Sequence, residues 1–328
     1  MSPGPLVVTF KVSERSRAVI AEALDGAAEI VHLGDLSGEE RAAALGRAGA
    51  VLAHDTSVEL SPEELPRLRG ARLLQFTSAG VDWVPLRDLP PELPVAGNGG
   101  ASAEPMAEHV LAMALAAAKR LFIEQANLRN GEFNQFTKNR MLADGVCGIL
   151  GFGGIGVATA RLMRCLGMRI HAINRRGASD APTDWIATPE RLEEMLAVAD
   201  VLVLSLALTR VTEGMIGARE LGLMKPDAIL INVARGEIVE ERALFDHLRA
   251  NPNFTACIDA WWIEPVRHRR FAMNFPFLDL PNVIGSPHNS AGGGVWRDVS
   301  LRRAVANCRR ALRGETPLHL IGADERMM

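Results

Sequence analysis

Tyrosine is absent from this 328-residue chain, and aromatic residues make up only 5% of it. Chemistry that needs a phenol as acid or base is therefore excluded. Cysteine is scarce: Cys147, Cys165, Cys257 and Cys308 are scattered and form no CxxC pair. That spacing suits neither a zinc site nor a disulfide framework, and the expected setting is a reducing cytoplasm. Long apolar runs are also missing. The longest, Val110 to Ala118, falls well short of the roughly 20 residues that cross a bilayer. No basic stretch with a cleavage site opens the chain, which runs straight into a strand-like Leu6-Val7-Val8-Thr9-Phe10. Nor does one sign of charge dominate. With 36 Lys and Arg against 39 Asp and Glu the net charge is −3, so no electrostatic footprint for nucleic acid is present.

What is there reads as a globular chain, 48% hydrophobic and 23% charged, of a length that suits two domains. In the first hundred residues the pattern predicts strands at Leu6–Lys11, Ile30–Leu33, Ala50–Ala53, Leu73–Phe76 and Leu93–Ala96. Helices are expected at Ser13–Leu24 and Gly38–Gly46, and Ser61 before Pro62-Glu63-Glu64 reads as an N-cap with proline at the first helical position. Gly97-Asn98-Gly99-Gly100 is the strongest break. One long helix is expected after it, from about Glu104 to Asn130, as a connector. A second alternating series follows, with strands at Val146–Leu150, Arg169–Ile173, Val201–Leu206, Ala228–Asn232, Phe254–Asp259 and Val283–Gly285. Helices Gly154–Leu166, Pro189–Ala197, Ala218–Leu223 and Glu240–Ala250 lie between them. Strand–helix alternation implies parallel sheets covered on both faces. Six strands are what a complete dinucleotide-binding fold requires. The last helix, Trp296 to Leu312, is expected to return to the first domain.

Gly151-Phe152-Gly153-Gly154-Ile155-Gly156 is a GxGxxG motif. A chain with 30 glycines can produce one by chance, but here an apolar strand ends at the first glycine and a helix pattern begins at the third. That context aims backbone N–H groups and a positive helix end at a pyrophosphate. Gly151 makes the tight turn, Gly153 admits the phosphates, and Gly156 lets helix and strand pack. An NAD site places an acid at the end of the second strand to bond the ribose hydroxyls. This chain has Asn174, then Arg175 and Arg176. Asparagine is neutral and can still bond a ribose, while the arginines offer planar forks to a 2′-phosphate. The expected cofactor is NADP(H), with NAD(H) possible. Without tyrosine, the Tyr–Lys mechanism of short-chain dehydrogenases is ruled out.

Three ionisable residues each follow a predicted strand: Arg235 in Asn232-Val233-Ala234-Arg235-Gly236, Glu264 in Trp261-Trp262-Ile263-Glu264-Pro265, and His288 in Ser286-Pro287-His288. Carboxyl ends of parallel strands form the ligand crevice, so these residues and the glycine turn should converge. Their chemistry is coherent. Reducing a ketone by hydride needs a proton donor, which histidine supplies. A carboxylate beside a histidine orients the ring and favours its charged form, and arginine forks to a 2-oxo acid.

With those motifs and Met224-Lys225-Pro226, the chain resembles the D-isomer-specific 2-hydroxyacid dehydrogenase family over nearly its whole length. The resemblance implies a Rossmann-type cofactor domain (99–294) inserted into a flavodoxin-like substrate domain (1–98 plus 295–328), both doubly wound α/β. It implies that Arg235 binds substrate, Glu264 supports the histidine and His288 is the acid/base, with no metal. It further implies cofactor contacts at Gly151, Gly153, Gly154, Ile155, Gly156, Asn174, Arg175, Arg176, Leu206, Thr212, Val233, Ala234 and Asp259. Backbone amides of Ser78, Ala79 and Gly80 would bind the substrate carboxylate, and homodimers would form through the cofactor domain. The expected activity is NAD(P)H-dependent reduction of a glyoxylate- or hydroxypyruvate-type 2-oxo acid to the D-2-hydroxy acid. A nucleotide-sensing corepressor on the same fold is the alternative. Departures from the family pattern are Ala207 where proline is usual, the segment Asn98–Pro105, the tryptophan pair, and Arg267-His268-Arg269-Arg270. That basic run is either a solvated loop or a cover that favours an acidic or phosphorylated substrate. At least one of Trp261 and Trp262 is expected to pack between domains.

Overall fold

A computed structural model describes residues 4–292 and 296–322. They form two compact units, one of the residues up to 102 together with those from 296, the other of residues 103–292. The first division falls at Ser102, a few residues beyond the glycine break, because Asn98 stays bonded to the first unit. Its N–H donates to the Ser78 carbonyl and its Nδ2 to the Thr77 and Ser300 carbonyls. The second expected boundary, at 294/295, lies outside the described residues.

In the first unit, five short parallel strands, β1 (Leu6–Val8), β2 (Ile30–His32), β3 (Ala50–Ala53), β4 (Leu74–Phe76) and β5 (Val95–Ala96), lie in the order β2-β1-β3-β4-β5. This is the flavodoxin-like order. Side chains alternate between two faces as strand geometry dictates. Val7, Val51, Leu74 and Phe76 enter one core, and Leu6, Val8, Ala50 and Leu52 enter the other. The second core is closed by Ile20 and Leu24 of helix Glu14–Leu24 and by Ala304, Val305, Cys308 and Leu312 of helix Trp296–Leu312. The terminal helix does belong to the first unit.

The second unit carries seven parallel strands: β6 (Val146–Leu150), β7 (Arg169–Ile173), β8 (Trp185–Ala187), β9 (Val201–Leu204), β10 (Ile229–Asn232), β11 (Thr255–Ile258) and β12 (Val283–Gly285). Their order is β12-β11-β10-β9-β6-β7-β8, a Rossmann sheet with one strand added at its far edge. Registers are level. Leu150 pairs with Ile173 and Leu204, Leu204 with Asn232, Asn232 with Ile258, and Ile258 with Gly285. Ile173 is likewise level with Ala187 of β8, so seven loops leave the sheet from one edge. One face packs Cys147, Ile149, Ile170, Val201, Val203, Ile229 and Ile231 against Met106, Val110 and Met113 of helix Ala103–Ala118 and Met163 of helix Gly154–Cys165. Among the described residues no helix is long and apolar enough to cross a membrane.

Three expectations need correcting. The long helix 104–130 is two helices, Ala103–Ala118 and Leu121–Arg129, because Arg120 adopts a left-handed conformation at φ 55°. Helix Leu121–Arg129 buries no residue, so nothing in the core forces it to continue the first. Ser61 starts no α-helix. Residues 62–64 form a turn and Leu65–Gly70 a 3₁₀ helix. Pro66 lacks an N–H and disfavours helical backbone at Leu65. Finally, strand β8 was not anticipated, being a three-residue edge with two of its residues half-buried.

Asp200, just before β9, ties the amino ends of the strands together. Its carboxylate accepts from the Val146 N–H at 2.7 Å, Arg140 at 2.6 Å and Lys225 at 2.8 Å. Burial pushes the carboxyl upward, but the Lys225, Val146 and Arg140 contacts together outweigh it and hold it below the ordinary aspartate range. A depressed carboxyl stabilises the fold above its unfolded pKa of about 4, and that stabilisation is lost as pH falls through the folded value. Asp200→Asn should therefore cost about 2 kcal/mol at neutral pH. The gap in melting temperature from the parent should narrow as pH drops below about 4; a gap independent of pH would contradict this.

Candidate active site

The loop after β6 is shaped by glycine. Gly151 sits at φ +99°, and a Cβ there would lie 2.6 Å from the Leu206 nitrogen. A Cβ on Gly156 would strike the Gly151 oxygen at 2.5 Å, so helix Gly154–Cys165 packs on its strand only without a side chain. Gly153 is different. A Cβ there would meet no atom within 4 Å, so packing does not demand this glycine, whereas close approach of a pyrophosphate does. The helix also has no side-chain cap. Amide donors of its first turn, from Gly154, Ile155 and Gly156, stand at a positive helix end without the usual capping oxygen. These residues fit a dinucleotide.

Neighbouring loops complete this edge. Ser205 Oγ donates to the Gly151 carbonyl at 2.8 Å, which seats Leu206 against the glycine turn. Thr212 Oγ1 donates to the Ala207 carbonyl at 2.8 Å and folds that loop. After β7, Asn174 is half-buried and its side chain is spent on its own loop. Oδ1 accepts the Arg176 N–H at 3.0 Å, and Nδ2 donates to the Ala178 carbonyl at 2.9 Å. Asn174 thereby shapes a turn that carries the exposed Arg175 and Arg176.

Arg235 follows β10 on a turn made by the buried Asn232, whose Oδ1 accepts the Ala234 N–H at 3.0 Å and whose Nδ2 donates to the Arg235 carbonyl at 2.8 Å. Val233 and Ala234 are themselves buried, and the Ala234 carbonyl accepts from the Arg235 guanidinium at 2.7 Å. After β11 comes Glu264, which is 8% exposed. One of its oxygens accepts the Trp261 N–H at 2.6 Å, and both face His288 Nδ1 at 2.8 and 2.9 Å. A carboxylate only accepts, so Nδ1 carries the proton and Nε2 is the exchanging atom. Among the described residues Nε2 has no hydrogen-bond partner, and the His288 side chain is one-third exposed.

His288 has φ 50°, a conformation that costs a non-glycine residue about 1–2 kcal/mol. Asp259 holds it there. The His288 N–H donates to the Asp259 carbonyl at 2.9 Å, while the side-chain oxygens accept from Ser286 Oγ at 2.5 Å and the Asn289 and Ser290 N–H groups at 3.2 and 3.3 Å. Asp259, expected to contact the cofactor, is placed here beside the histidine loop. Its side chain is fully buried and committed to the histidine loop. The strand-end position of Asp259 was legible, but which of the next thirty residues it would bond was not.

Both tryptophans are hydrogen-bonded within the second unit. Trp261 Nε1 donates to the Ser286 carbonyl at 2.8 Å and Trp262 Nε1 to the Val239 carbonyl at 2.7 Å. The basic run also divides. Arg267 pairs with Glu237, and His268 Nδ1 accepts the Glu264 N–H at 3.1 Å, while Arg269 and Arg270 are exposed. In the first unit, the loop after β4 is held by the Thr77 N–H on the Ala53 carbonyl at 2.9 Å and by Asn98. Among the described residues, the N–H groups of Ser78, Ala79 and Gly80 have no acceptor. They belong to a different unit from Arg235, Glu264 and His288.

Residues 111–290 match the profile of the D-isomer specific 2-hydroxyacid dehydrogenase NAD binding domain. The chain is 33% identical over 227 residues to a glyoxylate reductase of Thermococcus gammatolerans, the alignment covering 66% of each protein. It is 34% identical over 217 residues to glyoxylate/hydroxypyruvate reductase B of Pectobacterium carotovorum, covering 65% of this chain and 66% of that one. The aligned part is thus a little under two thirds of those relatives. A D-isomer specific 2-hydroxyacid dehydrogenase family protein from Aeromonas salmonicida superposes with a TM-score of 0.77 at 25% identity, over 98% of this chain and 99% of its own. With a profile match across more than half of the chain, on the unit that carries the glycine turn, the arginine and the carboxylate-held histidine, the chain belongs to the D-isomer specific 2-hydroxyacid dehydrogenase family.

Proposed function

We propose that this protein reduces a small 2-oxo acid of the glyoxylate or hydroxypyruvate type to the D-2-hydroxy acid, with NADP(H) preferred. The observation that carries the reading is the His288–Glu264 pair, in which Nδ1 is fixed by two carboxylate oxygens and Nε2 is left for proton exchange. A reduced nicotinamide, when bound, supplies a hydride to a carbonyl carbon. As the carbon–oxygen π pair moves onto oxygen, His288 gives up its Nε2 proton to that oxygen. Glu264 meanwhile keeps the ring oriented and balances the charge that the protonated imidazole carries. Arg235 supplies a fork for the substrate carboxylate. The Ser78, Ala79 and Gly80 amides are assigned a share of that carboxylate on the strength of the family resemblance.

Support for NADP(H) comes from the loop after β7. It has no acid at position 174 to repel a 2′-phosphate, and Asn174 shapes the turn that carries Arg175 and Arg176. Support for a homodimer comes from the second unit, where Leu121, Phe122, Leu128, Phe133, Phe136 and Met141 are all more than half exposed, Phe136 at 91%. A patch of this kind is expected to be covered by a partner.

His288→Asn and Glu264→Gln should each lower kcat by about 10²–10⁴ while cofactor affinity, followed by tryptophan fluorescence, is retained. Undiminished turnover of a 2-oxo acid panel would remove the pair from the chemistry. The kcat/KM ratio of NADPH to NADH should be about ten to a hundred and should fall toward one in the double variant Arg175→Ala/Arg176→Ala; preference for NADH would sink the assignment. Sedimentation should give a dimer that Phe136→Glu converts to a monomer, and a monomeric parent would refute it.

A further inference from the structure

His109 lies in helix Ala103–Ala118, far along the chain from the strand-end loops, yet its Nε2 is 3.0 Å from Ser286 Oγ and 3.7 Å from Asp259 Oδ1. The hydrogens settle the direction of this chain of contacts. Ser286 has one hydroxyl hydrogen, and the 2.5 Å contact to Asp259 uses it, because a carboxylate has none to give. The hydroxyl must then accept from His109, so the His109 Nε2 carries a hydrogen whether the ring is neutral or charged. His109 donates to Ser286, Ser286 donates to Asp259, and Asp259 holds the strained His288 loop.

The backbone of Ser286 is already pinned. Its N–H donates to the Ile258 carbonyl at 2.9 Å, and its carbonyl accepts from Trp261 Nε1 at 2.8 Å. What remains free is rotation of the hydroxyl hydrogen. A donor on the far side leaves the Ser286 lone pair occupied and directs that hydrogen to Asp259. Without it the hydroxyl can turn away, and a fully buried carboxylate loses its one side-chain donor of three. The carboxylate then keeps only the longer bonds from the Asn289 and Ser290 N–H groups, 3.2 and 3.3 Å.

We propose that His109, acting through the Ser286 hydroxyl, is a positioning residue for His288. The proposal rests on the reading of His288 as the proton donor. The test uses His109→Phe, His109→Gln, Ser286→Ala and the double variant His109→Phe/Ser286→Ala. Turnover and the downfield proton signal of the His288 Nδ1–H bond to Glu264, identified by its loss in His288→Asn, are both recorded. His109→Phe should lower kcat about ten- to a hundredfold, broaden that signal, and leave cofactor affinity near the parent's. His109→Gln, which offers an amide donor in place of the ring N–H, should recover most of both. In the Ser286→Ala background, His109→Phe should add nothing further. Unchanged kcat and signal in His109→Phe, or effects that simply add in the double variant, would overturn the proposal. If His109→Phe does not fold, Ser286→Ala against the parent makes the same measurement. Should the parent reduce no 2-oxo acid, the function reading fails, while the proton signal still decides whether His109 holds the loop.

Discussion

A carboxylate that never meets solvent holds the candidate site together. Burying a charged or polar group without partners costs several kcal/mol, so Asp259 is tolerated only because Ser286, Asn289 and Ser290 all donate to it. Those donors belong to the loop that carries His288, and compensation of the buried group is therefore the same event as placement of the imidazole. Hydrogen bonds to a charged group contribute about 1.5–3 kcal/mol each. The left-handed backbone at His288 costs about 1–2 kcal/mol, so two such bonds already exceed it. The loop keeps an unfavourable conformation because relaxing it would orphan the carboxylate.

That arrangement works only if strands distant in sequence end level with one another. A parallel strand advances about 3.3 Å per residue, so a slip of one position would carry His288 beyond hydrogen-bond reach of Glu264 and turn every side chain to the other face. Core alternation prevents the slip. Cys147 and Ile149 point into the helix-covered core with Val201, Val203, Ile229 and Ile231, while Gly148 faces Met195, where a Cβ would come within 3.1 Å of Cγ. At the opposite edge, Asp200 joins the Val146 N–H to Lys225 and Arg140. The amino ends are tied by charge, and the carboxyl ends are left for ligands.

Much of this was legible in the sequence, and the failures share a cause. Periodic apolar runs located nearly every strand, and the glycine spacing located the dinucleotide turn, because both are written in neighbouring residues. Arg235, Glu264 and His288 were legible as strand-end residues, and Glu264 and His288 do meet. The break at Arg120 was not legible, since the Ala-, Leu- and Met-rich pattern carries on past the point where packing ends. Strand β8 owes its existence to pairing with β7 rather than to its own three residues. The hydrogen bonds of Asp259, Trp261 and Asn174 run to particular distant or adjacent groups. One-dimensional spacing does not encode that. Pro66, by contrast, is a breaker written in the sequence itself, and it ends the helical start that Ser61 and Pro62 offer.

The basic run 267–270 shows how tertiary contacts decide between readings that composition leaves open. Three arginines and a histidine in a row could present a field suited to a phosphorylated substrate. Arg267 is instead neutralised by Glu237, two residues beyond Arg235, and His268 uses Nδ1 to accept the Glu264 N–H. The run therefore fastens the turn bearing the substrate-binding arginine of the proposal to the turn bearing the histidine's carboxylate. Arg269 and Arg270 remain exposed, on a turn where Arg269 is left-handed at φ 59°. One of the three arginines is thus consumed in positioning, and the case for a phosphate-selective site weakens accordingly. A small, singly forked carboxylate substrate needs no more cation than Arg235 supplies.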